Sequence, residues 1–476
     1  MQSFVGGRWR SSLGERLVPD RNPSDSEDII GMIPAGSPDD VDAAVTSAAE
    51  AWPSWRNLTG PARAEHLHRW AASIAGQQEA LAQAMTREVG KPISESRGEV
   101  GRCVAILRYY AGEAVREIGQ VIPSQLPATL QFSLRQPLGV VVLITPWNFP
   151  LAIPLWKAAP ALAFGNTVVL KPAEAASQMG TLLAETAAAA GLPAGVFNVL
   201  LGSGSVIGDP LLAHKAVAAV SFTGSSTVGA RVAAAAAARN IRFQTEMGGK
   251  NVAIVLPDAD LDKAAALVAA GAMRFAGQKC TATSRVVVDA GVEDLFLKKL
   301  RAQVEALPLG PVTDPASAVG PMVSDEARKA VTATIVKSGL KPIVGGAAPA
   351  DAAFSRGYFL SPTLLSGVDP DSPLAQEELF APVAAVIRAR NVDEAITLAN
   401  RTRFGLSAAL FTKDIQSALT FIHRIEAGLV RVNGDTTGVD PHAPFGGMKG
   451  SSSGSREQGP AAREFYTEIK TVQISG

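Results

Sequence analysis

Residues 139–150 read Gly-Val-Val-Val-Leu-Ile-Thr-Pro-Trp-Asn-Phe-Pro, and the pattern that starts here decides the fold. The stretch is an apolar run of strand length that stops at a proline-rich turn. Four more apolar runs follow before residue 246, and helix-like segments near 151–164, 177–190, 205–213 and 226–238 separate them. Continuous apolar strands that alternate with helices indicate a parallel sheet covered on both faces, the architecture that binds dinucleotides. The predicted strands are residues 139–144, 167–170, 196–201, 217–222 and 242–245.

A second alternation of the same kind begins at residue 251 and continues to about residue 432. Because 476 residues exceed one compact core, we expect two α/β domains. Helical periodicity covers residues 61–89 and 94–117. Residues 121–134 alternate like a solvent-facing ribbon that could pair with another subunit, and residues 467–474 read as a last strand.

The charge balance excludes several classes of partner. Lysines plus arginines equal aspartates plus glutamates at 44 each, so no overall field favours nucleic acid or an anionic membrane. Residues 137–156 carry no charge but contain four prolines, which suits a strand, a turn and a helix start better than a membrane span. Two cysteines and no signal peptide indicate a reducing, cytoplasmic compartment. The five histidines show no metal-ligand spacing, so no metal site is expected.

Three segments at strand ends could hold a nucleotide. Residues 202–208 nearly fit the glycine-rich fingerprint, but the spacing is one residue too long and a plain glycine turn explains them as well. Residues 222–229 end a strand and open a helix, where free backbone N–H groups favour phosphate, although an ordinary Ser/Thr cap is the alternative. Lys171 and Glu174 follow another strand and could hydrogen-bond ribose hydroxyls.

Three side chains are candidates for chemistry. Cys280 lies on a glycine-opened loop (residues 275–285) beside Lys279, surroundings that suit a nucleophilic thiolate, with an inert buried thiol as the alternative. Asn148 stands between two prolines, and its amide could donate to an oxyanion or merely form a turn. Glu246 links the two domains, where it is either a partly desolvated general base or a solvated linker residue.

Seven motifs together resemble the aldehyde dehydrogenase superfamily in order and approximate spacing. They cover nearly the whole chain, and the sequence looks like an NAD(P)-dependent, non-acylating member. The region 275–285 with residues 438–442 and the glycine-rich run 447–457 resembles the 2-oxoglutarate semialdehyde dehydrogenases in particular. The motifs lie at residues 145–150, 171–174, 222–229, 246–251, 277–280, 378–380 and 444–447.

The resemblance implies roles for the catalytic candidates. Cys280 matches the nucleophile and Glu246 the general base, while Asn148 and the backbone N–H of Cys280 match the oxyanion hole. Lys157 and Glu468 match a second lysine and glutamate that pass protons out. The implied reaction forms a thiohemiacetal and then a thioester on Cys280, which water converts to a carboxylic acid.

The resemblance also implies a coenzyme site and a substrate site. The coenzyme is NAD, because Glu174 should repel a 2′-phosphate, although Lys171 nearby could still admit NADP. The implied coenzyme contacts are Thr145, Pro146, Trp147, Lys171, Ala173, Glu174, Phe222, Thr223, Gly224, Ser225, Val228, Met247, Gly248, Glu378 and Phe380. The implied substrate contacts are Phe149, Trp156, Lys279, Thr281, His442 and Phe445.

The substrate itself is left open among several aldehydes. Succinate semialdehyde dehydrogenases typically carry an arginine directly before the lysine that Lys157 matches, and here that residue is Trp156. An acidic substrate must therefore be held by another group. Succinate semialdehyde and a broad range of aldehydes remain alternatives, as do a non-catalytic binding protein on the same fold and a cysteine hydrolase, which would need a histidine beside Cys280.

The implied architecture divides the chain into three parts. Residues 1–119 and 139–247 form the NAD(P)-binding domain, and residues 248–445 form the catalytic domain. Residues 120–138 and 460–476 form an oligomerisation element, which implies a homodimer or homotetramer.

Overall fold

The structure, a computed structural model, describes residues 1–14 and 16–476 and contains strands and helices in alternation. The strands are β1 (Ser3–Val5), β2 (Arg8–Arg10), β3 (Leu17–Arg21), β4 (Ile29–Pro34), β5 (Val121–Ile122), β6 (Thr129–Pro137), β7 (Val140–Ile144), β8 (Thr167–Lys171), β9 (Phe197–Val199), β10 (Val217–Thr223), β11 (Arg242–Glu246), β12 (Asn251–Val255), β13 (Thr283–Asp289), β14 (Thr363–Leu365), β15 (Val383–Ala389), β16 (Phe404–Gly405), β17 (Ser407–Phe411), β18 (Leu429–Val432), β19 (Met448–Lys449), β20 (Ser452–Ser453) and β21 (Thr467–Ser475).

The α-helices cover the sheets, and three short 3₁₀ helices lie at Glu174–Ala176, Arg274–Gly277 and Ala352–Phe354. The helices are α1 (Pro38–Arg56), α2 (Gly60–Gly76), α3 (Gln78–Val89), α4 (Ile93–Glu113), α5 (Ala152–Ala163), α6 (Ser177–Ala189), α7 (Gly204–Ala213), α8 (Ser226–Ala238), α9 (Leu261–Met273), α10 (Glu293–Glu305), α11 (Asp325–Lys337), α12 (Pro373–Gln376), α13 (Val392–Asn400), α14 (Ile415–Arg424) and α15 (Ala461–Tyr466).

Two mainly parallel sheets organise the molecule, which confirms the predicted α/β class. The first has eight strands in the order β2-β1-β9-β8-β7-β10-β11-β20, and its five central strands run parallel. The second has six strands in the order β14-β15-β13-β12-β17-β18. Parallel strands need helical crossovers, which explains why helices lie on both faces of each sheet.

Helix α5 shows how the first domain is held together. All 12 of its residues are buried, because it lies against β7 and β8 on one side and against α2 and α4 on the other. A fully buried helix needs no polar face, which is why residues 151–164 are almost entirely apolar. We expect Leu155→Ala in this helix to cost about 2–5 kcal/mol of stability.

The structure corrects two predicted boundaries. Residues 61–89 are two helices rather than one, because α2 ends at Gly76 and Gln77 takes non-helical angles of φ −115° and ψ 17° before α3 begins. The strand predicted at 196–201 is shorter, Phe197–Val199, since Val196 still belongs to a turn that is closed by a hydrogen bond to Pro193.

The ribbon and the last strand form a third sheet, in the order β21-β6-β5. β21 pairs antiparallel with β6 from Thr467 opposite Pro137 to Ser475 opposite Thr129. Several apolar side chains of this three-stranded sheet face solvent, including Val121 on β5, which is 78% exposed, and Ile469 on β21, which is 62% exposed.

No helix among residues 1–14 and 16–476 has both the length and the apolar composition needed to cross a bilayer. The uncharged residues 137–156 are instead shared among the end of β6, strand β7, a turn and the start of α5.

Candidate active site

A cavity of about 250 Å³ lies at the carboxyl ends of β7, β10 and β11, where Cys280, Glu378 and Phe380 from later in the chain complete its lining. Four larger cavities, of about 560, 390, 580 and 380 Å³, contain none of the predicted site residues. Convergent polar groups identify a site better than volume does, so we take the smaller cavity as the candidate. Its lining residues are Pro146, Trp147, Asn148, Ile153, Thr223, Gly224, Ser225, Met247, Gly248, Cys280, Glu378 and Phe380.

Cys280 reaches this cavity because the chain after α9 takes an unusual path. Phe275 and Ala276 have positive φ angles of 54° and 51°. Such conformations disfavour residues with a Cβ and persist at functional sites where the surroundings impose them. Gly277 follows at φ 63°, and a Cβ there would lie 2.2 Å from the carbonyl oxygen of Ala381, so this position accepts only glycine.

Side chains from distant segments hold the loop that carries Cys280. Asn251 donates to the carbonyl oxygens of Cys280 and Ala282, both at 2.8 Å. Asn148 donates from Nδ2 to the carbonyl oxygen of Gln278 at 2.9 Å. An amide NH₂ has two hydrogens, so Asn148 keeps one donor for a ligand beside Cys280.

Burial and, to a smaller extent, the nearby carboxylates of Glu378 and Glu246 together raise the pKa of the Cys280 thiol to about 12, although the backbone N–H groups of Thr281 and Cys280 oppose the increase. The sulfur is therefore protonated at neutral pH and must lose its proton to become a nucleophile. None of the histidines in the described part of the chain hydrogen-bonds to Cys280, so a Cys-His pair of the hydrolase type is absent there.

Glu246 ends β11 and is 2% exposed. Its Oε2 accepts a hydrogen bond of 2.6 Å from Ser452, whereas its Oε1 is buried without a partner in the described residues. Burial raises the pKa of this carboxyl well above its usual value, and the charge of Glu457 adds to the increase. Gly446 lets the chain pass close to Glu246, since a Cβ there would lie 2.8 Å from Oε1.

Lys157 and Glu468, which the resemblance matched to one path for protons, are not in contact, and the match of Glu468 was wrong. The Lys157 ammonium pairs with Glu457 and donates to Ser221 at 2.8 Å. Glu468 lies on β21 opposite Gln136, and its side chain is exposed. The motif match placed the carboxylate on the terminal strand, while the tertiary structure supplies it from the glycine-rich segment before α15.

The predicted coenzyme residues divide into two groups. Pro146, Trp147, Thr223 to Ser225, Met247, Gly248, Glu378 and Phe380 line the cavity. Lys171 lies at the end of β8, near the glycine-rich residues 202–208. Its Nζ is 3.9 Å from the position that a Cβ on Gly204 would take. Burial lowers the pKa of Lys171, and Glu174 opposes that shift. The predicted residues outside the cavity lining are Thr145, Lys171, Ala173, Glu174, Phe222 and Val228.

The predicted substrate residues are also only partly together. The rings of Trp156 and Phe445 lie 5.5 Å apart, and Cys280 packs against the small apolar cluster that contains Phe445. Lys279 pairs with Glu95 at 2.9 Å, and the Thr281 carbonyl accepts a hydrogen bond from Thr436. Phe149 lies over the ammonium of Lys91. His442 is at the surface, with 67% of its side chain exposed.

Sequence reasoning missed four residues around these groups. Ser452 donates a hydrogen bond to Glu246, and Glu457 forms an ion pair with Lys157. Arg102 lies beside Trp156 and donates a hydrogen bond to Gln458. The one available signal was the run Arg456-Glu457-Gln458, which interrupts a segment made mostly of glycine and serine. Arg102 on α4 gave no signal, because an arginine on an amphipathic helix usually faces solvent.

The comparisons agree with this geometry. The profile of the aldehyde dehydrogenase family matches residues 9–472. The chain is 46% identical to an alpha-ketoglutaric semialdehyde dehydrogenase of Bacillus subtilis, over 99% of this chain and 97% of that protein. It is 38% identical to a mitochondrial succinate-semialdehyde dehydrogenase of Arabidopsis thaliana, over 99% of this chain and 88% of that protein.

A solved structure is similar throughout its length. It is an NAD-dependent aldehyde dehydrogenase from Sinorhizobium meliloti, 36% identical, with a TM-score of 0.95 over 100% of this chain and 94% of that one. A family profile that spans nearly the whole chain, with relatives at this identity, settles the family. The chain belongs to the aldehyde dehydrogenase family.

Proposed function

We propose that this protein oxidises 2-oxoglutarate semialdehyde to 2-oxoglutarate with NAD. One observation supports the chemistry: Cys280 and Asn148 line the cavity at the carboxyl ends of the first sheet, and Glu246 at the end of β11 is close enough for its charge to act on the Cys280 thiol. The substrate is proposed from the relative in Bacillus subtilis, which bears that name and aligns over 99% of this chain.

The residues around the cavity fit a dinucleotide. The hydroxyls of Thr145 and Thr223 are buried without partners in the described residues, at the carboxyl ends of the adjacent strands β7 and β10. Among residues 1–14 and 16–476, Lys171 on the next strand donates only to the carbonyl oxygen of Pro172, at 3.1 Å, which leaves two of its N–H groups for a ribose. Ser225 precedes α8, where free N–H groups favour phosphate. We assign the coenzyme to these groups, and Glu174 favours NAD over NADP.

The bound nicotinamide supplies the acceptor for the hydride that the aldehyde loses. The chain supplies the other steps. The Cys280 thiol first passes its proton to water, and the thiolate then attacks the aldehyde carbon. The remaining N–H of Asn148 and the backbone N–H of Cys280 stabilise the resulting alkoxide, with about 3 kcal/mol of barrier for each good donor. Glu246 takes a proton from the water that cleaves the thioester, which releases the carboxylic acid.

Initial rates with four aldehydes and both coenzymes test this function. We expect the highest kcat/KM for 2-oxoglutarate semialdehyde with NAD, above succinate semialdehyde, glycolaldehyde and pentanal. An equal kcat/KM for pentanal would contradict the substrate, and no coenzyme reduction with any aldehyde would contradict the function and favour a non-catalytic binding protein.

Succinate semialdehyde is the second candidate. Its support is the relative in Arabidopsis thaliana that bears that name. Against it, Trp156 occupies the position at which such enzymes typically carry an arginine, so the known carboxylate anchor is missing. The same rate measurements separate the two substrates.

We also propose that the protein is a homodimer or homotetramer in the cytoplasm. The three-stranded sheet exposes apolar side chains, among them Val121, Leu130, Ile469 and Ile474, which a second subunit would cover. Both cysteines are free thiols, which suits a reducing compartment. Light scattering should give a mass of twice or four times one chain, and a monomeric mass would contradict the assembly.

A further inference from the structure

An acidic substrate needs a cation near Cys280, and most cations around the crevice are already used. The Lys157 ammonium pairs with Glu457, and the Lys279 ammonium pairs with Glu95. Both ion pairs are largely buried, so neither lysine is available without leaving its carboxylate uncompensated.

Arg102 differs from these lysines. It lies on α4, and no carboxylate in the described residues forms an ion pair with it. Its guanidinium donates from Nη2 to the Gln458 Oε1 at 3.2 Å, and its Cζ lies 5.8 Å from the centre of the Trp156 ring. The arginine therefore sits beside the residue that replaces the usual anchor.

Two donors at this corner have no acceptor. The Nε of Arg102 and the Nε2 of Gln458 are both buried, and neither has a hydrogen-bond partner in the described part of the chain. Gln458 is 1% exposed, and its amide is oriented by the bond that its oxygen accepts from Arg102. Buried donors without acceptors are costly unless a ligand satisfies them.

The carboxylates nearest to Arg102 do not take these donors. Glu99, on the same helix, accepts from the backbone N–H groups of Leu151 and Ala152 and pairs with Lys91. Asp440 lies on the exposed loop beside His442, 4.0 Å from its ring. The charges of Glu99 and Asp440 both act on Arg102, but neither carboxylate forms a hydrogen bond or an ion pair with it.

A line of contacts joins this corner to the nucleophile. Trp156 is fixed by a hydrogen bond of 2.7 Å from its indole nitrogen to Glu457, and its ring lies 5.5 Å from that of Phe445. Cys280 packs against the small apolar cluster to which Phe445 belongs. The charge of a Cys280 thiolate also reaches Arg102. The two aromatic rings therefore lie in a series of neighbouring side chains that links the sulfur to the donors of Arg102 and Gln458.

We propose that Arg102, together with the amide of Gln458, binds the carboxylate of the semialdehyde substrate, with Trp156 and Phe445 along the carbon chain between the carboxylate and Cys280. This assignment rests on the proposed function. An arginine presents several N–H donors in a plane, a geometry that matches a carboxylate, and the Gln458 amide adds a neutral donor at its edge.

The test compares charged and neutral aldehydes on the same variants. Arg102→Met keeps an unbranched apolar stem and removes the charge and its N–H donors, so we expect kcat/KM for 2-oxoglutarate semialdehyde to fall about 10- to 100-fold, mainly through KM. The value for pentanal should stay within about threefold, because it has no carboxylate. Arg108→Met is the matched control, since Arg108 is an exposed arginine on the same helix.

Gln458→Glu provides a second variant of nearly the same shape. It keeps an acceptor for Arg102 but places a negative charge where the substrate carboxylate should bind, so KM for the semialdehyde should rise while pentanal is unaffected. Arg102→Lys should recover part of the loss in Arg102→Met, because it restores the charge without the fork of donors.

The outcomes separate the anchor from the proposed function. If the unmodified protein prefers the semialdehyde but Arg102→Met and Gln458→Glu reduce both substrates equally, the anchor is wrong and the function stands. If the unmodified protein shows no preference for the semialdehyde over pentanal, then the proposed substrate and its anchor are both wrong.

Discussion

Glu246 and Glu457 are both 2% exposed and close enough for the charge of one to raise the pKa of the other, but their carboxylates are bonded differently. Both oxygens of Glu457 accept hydrogen bonds: Lys157 and Ser221 donate to one oxygen, and Trp156 donates to the other. Glu246 has one hydrogen bond, from Ser452, and an oxygen without a partner in the described residues.

The difference separates structural from chemical roles. A buried carboxylate that accepts hydrogen bonds at both oxygens, one of them from a buried ammonium, holds the surrounding elements together. A buried carboxylate with a free oxygen has a raised pKa and can exchange a proton with water or substrate. Groups of the first kind should affect stability when they are removed, and groups of the second kind should affect turnover.

The largest expected effect is that of Cys280→Ala. Loss of the nucleophile should reduce kcat by about 10⁴-fold or more, while the Tm stays close to that of the unmodified protein. Coenzyme reduction and a thermal melt measure the two quantities. Cys103→Ala is the control, because Cys103 is buried on α4 and should be dispensable for turnover. Substantial turnover by Cys280→Ala would remove this sulfur from the chemistry.

Glu246→Gln should reduce the steady-state rate by about 10²- to 10⁴-fold without loss of stability. Because the base acts as a carboxylate and its pKa is raised, the rate of the unmodified protein should fall as the pH falls through that pKa. In the variant, a first turnover should still occur and the thioester should then accumulate, which rapid-mixing absorbance and mass spectrometry detect. If Glu246→Gln unfolds instead, Glu246 has a structural role like that of Glu457, and the proposed difference between the two carboxylates is wrong.

Glu457→Gln should act on stability. It leaves the buried Lys157 ammonium without a counter-charge, at a cost of about 3–5 kcal/mol in the free energy of unfolding. Glu468→Gln is the matched control, since this exposed carboxylate on β21 should change stability by less than about 0.5 kcal/mol. Urea unfolding of both variants provides the comparison, and equal losses would contradict the placement of Glu457.

The smallest effect concerns the Cys280 thiol. The pKa of this thiol is about 12. At pH values below 12, the thiolate fraction in the protein without coenzyme should therefore rise about tenfold for each unit by which the pH is increased. The rate of alkylation by iodoacetamide should follow, measured by peptide mass spectrometry between neutral and alkaline pH. A rate that is flat with pH would mean that the thiolate is already formed at neutral pH.

Local sequence predicted most of the first sheet. The strands at residues 140–144, 167–171, 217–223 and 242–246 lie within one residue of the predicted bounds at each end. The first three are mainly apolar because they are buried on both faces. Helix periodicity did not show the break at Gln77, since the apolar stripe continues from α2 into α3 across it.

The site was predictable where a motif keeps its residues adjacent. Asn148, Thr223 to Ser225 and Cys280 each belong to a short segment at the end of a strand or helix, and they line one cavity. Glu457 was not predictable in this way, because its partners Lys157 and Ser221 lie more than 230 residues away in the chain, at separations of 300 and 236.

By itself, the sequence determined the α/β class, the two parallel sheets and the loop that presents Cys280, because each depends on the order of apolar and polar residues within one short segment. Only the tertiary structure decided which carboxylate faces Lys157, which oxygen of Glu246 stays free, and that Arg102 and Gln458 meet beside Trp156. Those contacts depend on burial and on hydrogen bonds between segments far apart in the chain, and no local pattern records them.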